Sequence, residues 1–163
     1  MMTDHDPRYF DDYVPGTTHD CGSVSVSQAE IISFATQFDP QPFHVDPEAA
    51  ARGPFGGLIA SGWHTAALVM RQLVDHYLSA EASLGSPGLD EMRWPAPVRP
   101  GDALRVRATV VDARRSQSKP DRGIIKTLVE AVNQDGRTVM RATAINFLLV
   151  RPAPGTLGSQ GGK

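Results

Sequence analysis

Gly62-Trp-His-Thr-Ala-Ala-Leu-Val-Met-Arg-Gln-Leu-Val-Asp-His-Tyr-Leu78 is the most hydrophobic helical pattern in the sequence, and the predicted fold is built around it. Its apolar residues recur at three- and four-residue spacing and spread over a wide face of the helix. A helix of this kind is covered by other elements on most sides, so we expect it to lie at the centre of the fold. No window of the chain approaches about eighteen consecutive apolar residues, which argues against a membrane span.

A strand and a helix are predicted first on the N-terminal side. Thr17–Val26 has the composition of a strand. Ser27 and Glu30 have the spacing of a capping box, and the apolar periodicity that follows predicts a helix to about Phe38. Pro40 disfavours helical backbone at the residue before it, so the helix must end there.

A second short helix and a loop then lead to the central helix. Asp46 is a good N-cap, and Pro47 suits the first turn of a helix that continues to Arg52. Gly53-Pro-Phe-Gly-Gly57 is predicted to be a loop.

The C-terminal half predicts antiparallel strands. Alternation of apolar and polar residues is clearest in the strand predicted at Leu104–Val110. Asp135-Gly136 is a strong signal for a hairpin turn. A polar turn is expected at Ser116–Gly123. The predicted strands are Leu89–Trp94, Leu104–Val110, Ile124–Gln134 and Arg137–Val150.

This order of elements belongs to the α+β class. One hydrophobic helix wrapped by an antiparallel sheet satisfies it, which is the arrangement known as the hot dog fold, and we assign this topology by analogy. Residues 13–151 are expected to form a single domain. Residues 1–12 are interpreted as an N-terminal extension and the Pro- and Gly-rich residues 152–163 as a flexible tail.

Composition excludes several classes of protein. The 163 residues carry 16 basic and 18 acidic side chains, a net charge of −2, so we expect no polybasic binding to nucleic acid. Cys21 is the only cysteine and is expected to be buried and unreactive, and no cysteine cluster for a metal is available. The acidic N-terminus has no apolar core, unlike a secretory signal, and a cytoplasmic location is expected.

The segment Phe38-Asp-Pro-Gln-Pro-Phe-His-Val-Asp-Pro-Glu-Ala-Ala50 can carry chemistry. Asp39 and His44 are five residues apart, and the two intervening prolines restrict the backbone between them. A carboxylate and an imidazole held together can bind and activate one water molecule. Asp39 can instead cap a helix and His44 can be a turn residue bonded to backbone, and spacing alone leaves both interpretations open.

The segment resembles the signature of the MaoC-like dehydratases, or (R)-specific enoyl-CoA hydratases. The family pattern is Gly-Asp-x-Asn-Pro-x-His-x-Asp-Pro-x-x-Ala, with Phe38 here in place of the usual Gly and Gln41 in place of the usual Asn. Two further stretches also fit, Gly57–Trp63 and Pro97–Asp102, so that the resemblance extends over about Tyr13–Pro152. The matching positions of the signature are Asp39, Pro42, His44, Asp46, Pro47 and Ala50.

The resemblance implies a reaction and roles for individual residues. Water would add reversibly across a 2-enoyl thioester to give an (R)-3-hydroxyacyl thioester, with Asp39 and His44 acting on one water molecule. The backbone N–H of Gly62 would stabilise the negative charge on the thioester oxygen, as helix N-termini do. Gln41 would affect substrate preference. Coenzyme A would be part of the substrate rather than a cofactor, and the chain would form a homodimer or a dimer of dimers.

Several other residues have both a functional and a purely structural interpretation. Trp63 can line an acyl pocket or be a packing residue, and His64 is expected to be a packed core histidine rather than a metal ligand. No metal site is expected. The basic residues Arg114, Lys119 and Arg122 lie in a segment with a local charge of +3, and they can meet the phosphates of coenzyme A or form a solvated turn.

Two rival functions remain open at this point. A hot dog acyl-CoA thioesterase would share the fold and the ligand but release a free thiol. A non-catalytic acyl-thioester-binding protein would need no Asp–His pair and would be indifferent to Asp39→Asn. The spacing of Asp39 and His44 favours the hydratase.

Overall fold

The computed structural model describes residues 7–154. These residues contain a five-stranded antiparallel sheet, four α-helices and one short 3-10 helix. The α+β class predicted from the sequence is therefore confirmed. The helices are α1 (Gln28–Phe38), α2 (Pro42–Val45), α3 (Pro47–Arg52) and α4 (Gly62–His76), and the strands are β1 (Thr18–Ser25), β2 (Gly88–Arg93), β3 (Ala103–Arg115), β4 (Arg122–Val132) and β5 (Thr138–Leu149).

The strands follow the order β1-β3-β4-β5-β2, and every neighbouring pair is antiparallel. The hairpin predicted at Asp135-Gly136 is confirmed: the side chain of Asn133 accepts hydrogen bonds from two backbone N–H groups of the turn, and Gly136 has a φ of +77°. Strand β3 is longer than the predicted Leu104–Val110. The pairing register of β3 with β4 shifts after Val110, so the alternation that marks the strand in the sequence is interrupted there although the strand continues.

The capping box predicted for α1 is present. The Oγ of Ser27 accepts a hydrogen bond from the Glu30 N–H at 3.2 Å, and the Glu30 carboxylate accepts one from the Ser27 N–H at 2.7 Å. The helix ends at Phe38, as predicted, and its end places Asp39 at the start of the connection to α2. The short helix α2 was not predicted, because a single turn of four residues has no apolar periodicity to detect.

Helix α4 begins at Gly62, as predicted, and packs mainly against β1. Its buried face includes Thr65, Val69 and Leu73. The opposite face carries exposed apolar side chains, among them Met70 and Val74. The expectation that this helix is covered on most sides is therefore wrong for a single chain, because one sheet can cover only one face of it. Among residues 7–154, no helix is long and apolar enough to cross a membrane.

The chain before Tyr13 packs on the domain in its described part. Phe10 belongs to the core, and Arg8 donates a hydrogen bond to the carbonyl of His76 at the C-terminal end of α4. Residues 1–6 of the predicted extension and 155–163 of the predicted tail lie outside the described residues. Cys21 is fully buried, as predicted, and burial raises the pKa of its thiol to about 11.

Candidate active site

Asp39 and His44 meet at the junction of α1 and α2. Asp39 is the C-cap residue of α1, and His44 lies in α2. Pro42 is the first residue of α2, and the N–H of His44 donates a hydrogen bond to the carbonyl of Gln41. The Oδ2 of Asp39 lies 3.3 Å from the Nε2 of His44. The helix-end role considered for Asp39 is thus real, but it belongs to the backbone N–H, and the side chain faces the imidazole.

The imidazole of His44 is held in one orientation. Its side chain is only 6% exposed, and its Nδ1 lies 2.7 Å from the carbonyl oxygen of Ile59. Because a carbonyl oxygen can only accept, Nδ1 carries a proton and donates it in this bond. In the neutral ring Nε2 therefore has a lone pair, and this lone pair faces the Asp39 side of the site. The backbone partner considered from the sequence exists, and it fixes the tautomer that a base requires.

The carboxylate of Asp39 accepts two further hydrogen bonds. The Nε2 of Gln41 donates to Oδ1, and the Oγ of Ser61 donates to Oδ2, each at 2.7 Å. These two bonds, Gln41 first, hold the pKa of the carboxyl below its usual value, and the positive charge that His44 can carry adds to the effect. Asp39 is therefore ionised at neutral pH, and its side chain is 19% exposed, enough for water or a ligand to reach it.

Ser61 also belongs to the candidate site, although no sequence pattern points to it as a site residue. It is fully buried, donates to Asp39, and accepts a hydrogen bond from the Trp63 N–H at 3.3 Å as the N-cap of α4. A serine directly before a hydrophobic helix is an ordinary N-cap signal, and this is how it could have been found. Its second contact, with a carboxylate far away in the sequence, leaves no local pattern.

Gly62 begins α4, and its N–H has no acceptor among the described residues, as expected for the first turn of a helix. The indole ring of Trp94 packs directly against it: a Cβ at this position would lie 2.6 Å from two of the indole carbons. Only glycine fits this approach. The free N–H, at the positive end of the helix dipole, is available to an oxygen that carries negative charge.

A cavity of about 330 Å³ adjoins His44 and Gly62. Trp94, which was not selected from the sequence, lines it, whereas Trp63 is 62% exposed and lies beside the cavity with its ring edge-to-face against Trp94 at 5.4 Å. The other lining residues are mostly apolar: Phe55, Ile59, Ala60, Thr65, Pro95, Ala96, Pro97, Val98 and Val139. An apolar cavity with a few polar groups converging on one end is the usual form of a small-molecule site.

The loop before α4 borders this cavity. A guanidinium N–H of Arg99 donates to the carbonyl of Phe55 at 2.6 Å, and the ring of Phe55 packs against that of Phe43, whose ring contacts His44. Through Phe55 and Phe43 this loop is therefore packed against the imidazole of His44.

The basic residues proposed to meet coenzyme A phosphates are remote from this site within one chain. The cavity lies at the end of the sheet where β3 begins, whereas Arg114 lies near the other end of a strand that spans about 40 Å. Arg122 forms an ion pair with Asp121 at 2.8 Å, and Lys119 lies in the same turn. Among residues 7–154, no three His, Cys, Asp or Glu side chains are grouped so as to hold a metal ion.

The fold is a long helix on an antiparallel sheet, and the site combines an Asp–His pair and a free helix N-terminus beside an apolar cavity. These features are typical of hot dog proteins that act on thioesters. The family described as "MaoC like domain" matches residues 13–134. The chain belongs to the MaoC-like dehydratase family.

Two relatives are similar to this chain over about two thirds or more of its length. The uncharacterized protein YdeM of Bacillus subtilis is 32% identical over 124 residues, which cover 76% of this chain and 86% of that protein. The 3-hydroxyacyl-thioester dehydratase Z of Mycobacterium tuberculosis is 37% identical over 109 residues, covering 66% of this chain and 72% of the relative.

Solved structures confirm the hot dog fold. The MaoC-like dehydratase from Rhodospirillum rubrum is 44% identical, with a TM-score of 0.84 over 90% of this chain and 99% of the other. An R-hydratase from Pseudomonas aeruginosa is 25% identical, with a TM-score of 0.64 over 94% and 96% of the two chains. A Mycobacterium tuberculosis protein with a double hotdog fold is 20% identical, with a TM-score of 0.77 over 91% of this chain and 47% of that one.

Proposed function

We propose that this protein is an enoyl-thioester hydratase that adds water reversibly to a 2-enoyl thioester and forms the (R)-3-hydroxyacyl thioester. One observation carries the proposal: the ionised Asp39 and the Nε2 lone pair of His44 are 3.3 Å apart at the end of an apolar cavity. Two acceptors this close can both accept hydrogen bonds from a single water molecule. The dehydratase Z relative and the R-hydratase structure support the reaction class and its stereochemistry.

The proposed reaction uses this water for both new bonds. The Nε2 of His44 accepts a proton as the water oxygen bonds to the β carbon, and the electrons of the double bond move to the thioester, giving an enolate. Asp39 stabilises the imidazolium formed at His44. The proton then passes from the pair to the α carbon, so that one water molecule has been added and the enzyme is unchanged. Delivery from one side of the substrate gives syn addition.

The N-terminus of α4 stabilises the enolate. The thioester oxygen gains negative charge as the β carbon is attacked, and the free N–H of Gly62 is the donor that would meet it. The apolar cavity beside Gly62 would accommodate the acyl group. The Trp94 indole, which lies on Gly62, would then contact the thioester end of the substrate.

A second copy of the chain is part of the proposal. Trp63, Met70 and Val74 form an exposed apolar stripe on the outer face of α4. The resemblance to the family implies a homodimer, and pairing of two copies through α4 would bury this stripe. Acyl-CoA is the proposed substrate form.

The proposal is tested by following the loss of enoyl-thioester absorbance with crotonyl-CoA and a longer 2-enoyl-CoA, with a free-thiol assay in parallel. We expect loss of absorbance without thiol release, and Asp39→Asn and His44→Ala should each lower kcat by about a hundredfold or more. Matched controls are Asp135→Asn, which keeps the hairpin turn, and His76→Gln, since neither residue touches the cavity. Thiol release by the wild type would show a thioesterase instead. Binding without either signal would show a non-catalytic thioester-binding protein.

A further inference from the structure

Two side-chain contacts join the start of α4 to the helix that ends at the Asp–His pair. The Oγ of Ser61, the N-cap of α4, donates to the carboxylate of Asp39, the C-cap residue of α1, at 2.7 Å. His64, in the first turn of α4, stacks on Phe34 of α1, with ring centroids 4.7 Å apart and planes within 8° of parallel. The first contact holds the carboxylate itself, and the second holds the helix that carries it.

The imidazole of His64 is held by packing. The residue is 6% exposed, and its Nδ1 is enclosed without a hydrogen-bond partner among the described residues. Burial lowers the pKa of the imidazole, against a smaller opposing effect of Glu30, so the ring is neutral at pH 7. The packing expected for this histidine from the sequence is therefore present, and the ring acts through the flat face that it presents to Phe34.

A row of aromatic rings leads from this stack to Asp39. The ring of Phe34 contacts that of Phe38, with centroids 5.1 Å apart, because residues four apart lie on one face of a helix. Phe38 is the last residue of α1, and the N–H of Asp39 donates to the Ala35 carbonyl at 2.9 Å. Asp39 is thus bonded into the last turn of the helix, so that a shift of this turn displaces its carboxylate.

The last turn of α1 has little other packing. Ala35 is buried, whereas the three residues that follow it are exposed, Phe38 by 69%. Phe34 is half-buried, and His64 covers one face of its ring. The stack on His64 is therefore a large share of what holds this end of α1 against α4.

We propose that His64 is a positioning residue for Asp39: its ring holds the last turn of α1 against the start of α4, and this keeps the Asp39 carboxylate bonded to Ser61 and facing His44. The consequence for catalysis rests on the proposed function, in which Asp39 holds the water molecule. A displacement of about 1 Å at a reacting group can cost about a hundredfold in rate.

The first test measures Asp39 without any substrate. The pKa of Asp39 is followed by the carbon-13 shift of its carboxyl carbon in a pH titration, with the signal assigned by Asp39→Asn. Hydrogen bonds from Gln41 and, second, from Ser61 lower this pKa, so His64→Ala should raise it by weakening the Ser61 bond. His64→Phe keeps a flat ring without the nitrogens and should restore a value close to that of the wild type.

Two further variants show the route of the effect. Phe34→Leu removes the same stack from the side of α1 and should raise the pKa of Asp39 as His64→Ala does, which keeps the test available if His64→Ala does not fold. In a Ser61→Ala background, His64→Ala should raise this pKa no further, because the contact through which His64 acts is already absent.

The second test is hydration of crotonyl-CoA. The kcat of His64→Ala should fall about tenfold or more with little change in KM, since the carboxylate is displaced while the apolar cavity is not. His64→Phe should recover most of kcat.

His19→Ala is the matched control. His19 also has a buried nitrogen without a partner among the described residues, and its ring packs against Tyr77. This contact lies at the other end of α4, about 20 Å along the helix axis from His64. The control should lose stability and keep the wild-type kcat and pKa of Asp39.

Three outcomes would overturn the proposal. These are a wild-type pKa of Asp39 in folded His64→Ala and Phe34→Leu, an equal rise of this pKa in His19→Ala, and an additional rise when His64→Ala is combined with Ser61→Ala. The carbon-13 titration also separates this proposal from the proposed function. The expected rise in a protein that hydrates no enoyl thioester would keep the positioning role and remove the function, and hydration without the rise would do the opposite.

Discussion

Ser61 connects the N-terminus of α4, which we propose stabilises the enolate, with the Asp39 carboxylate, which we propose holds the water. Its hydroxyl donates to Asp39 and accepts from the Trp63 N–H, so one side chain fixes the distance between the two halves of the site. Asp39 and His44 could be selected from the sequence because they lie in one short stretch that resembles the family signature, whereas their spacing alone left their role open. Ser61 and Trp94 could not be selected as site residues, because their partners are brought to them only by the packing of α4 against distant segments.

Ser61→Ala should impair both stability and activity. Loss of the cap and of the bond to a carboxylate should lower the free energy of unfolding by about 1–3 kcal/mol. The hydrogen bonds from Gln41 and, second, from Ser61 lower the pKa of Asp39, so the ionised carboxylate stabilises the site above the usual carboxyl pKa. This stabilisation is lost as the pH falls through the lowered value. Without Ser61 the pKa of Asp39 should be higher, so the carboxylate should become protonated at a higher pH. The acidic limb of a pH profile of kcat/KM should therefore shift to higher pH.

Ser27→Ala is the control for this effect. Ser27 is also an N-cap and also bonds to a carboxylate, that of Glu30, but it does not touch Asp39 or His44. It should lose similar stability and keep the wild-type pH profile. The same activity loss in both variants would contradict a specific role for Ser61.

Gly62→Ala should displace Trp94. The added Cβ would lie 2.6 Å from the indole, and the helix start cannot move without breaking the Ser61 contact with Asp39. Overpacking of this kind costs about 1–3 kcal/mol. Both tryptophans of the chain lie here, so intrinsic fluorescence should change together with a loss of kcat. Gly53→Ala, at a glycine with ordinary φ and looser surroundings, should leave both unchanged. Unchanged fluorescence in Gly62→Ala would show that the indole does not rest on Gly62.

At the scale of elements, the sequence predicted helices and strands in which apolar residues recur at a regular spacing. It did not predict elements too short or too irregular to show such a spacing. The bulge of β3 after Val110 and the one-turn helix α2 are examples. The short 3-10 helix Phe10–Asp12 is another. Three residues carry no periodicity, and the contact of Phe10 with Gly123 of β4 is made only in the folded chain.

Phe10→Ala tests whether this short helix contributes to the domain. The ring is buried in the core, so its removal should lower the free energy of unfolding by about 3 kcal/mol, measured by urea denaturation. Val14→Ala, a few residues away at an exposed position, should change it by about 0.5 kcal/mol or less. Equal, small effects of both substitutions would contradict a structural contribution of the segment before Tyr13.

At the scale of the whole molecule, the sequence predicted a central helix covered on most sides, and the single chain leaves part of that helix exposed. The exposed part is one apolar stripe, Trp63, Met70 and Val74, on the face of α4 away from the sheet. A partner cannot be read from periodicity, which shows only that a face is apolar and not what covers it.

Met70→Glu should weaken the proposed homodimer. A charge buried without a partner in an apolar interface should raise the dimer dissociation constant at least about tenfold, which light scattering over a dilution series would measure. Val111→Glu places the same charge on an exposed position of β3 and is the control. Identical dissociation curves for both variants would show that the stripe on α4 is not the interface.

The central claim is that Asp39 and His44 deliver one water molecule across the double bond. Hydration of crotonyl-CoA in D₂O, stopped at low conversion and analysed by NMR, tests this claim directly. The account predicts a 3-hydroxybutyryl thioester with a single deuterium at the α carbon and no free coenzyme A, and formation of this product about a hundredfold or more slower with Asp39→Asn. Release of free coenzyme A without deuterium at the α carbon, or full activity of Asp39→Asn, would contradict it.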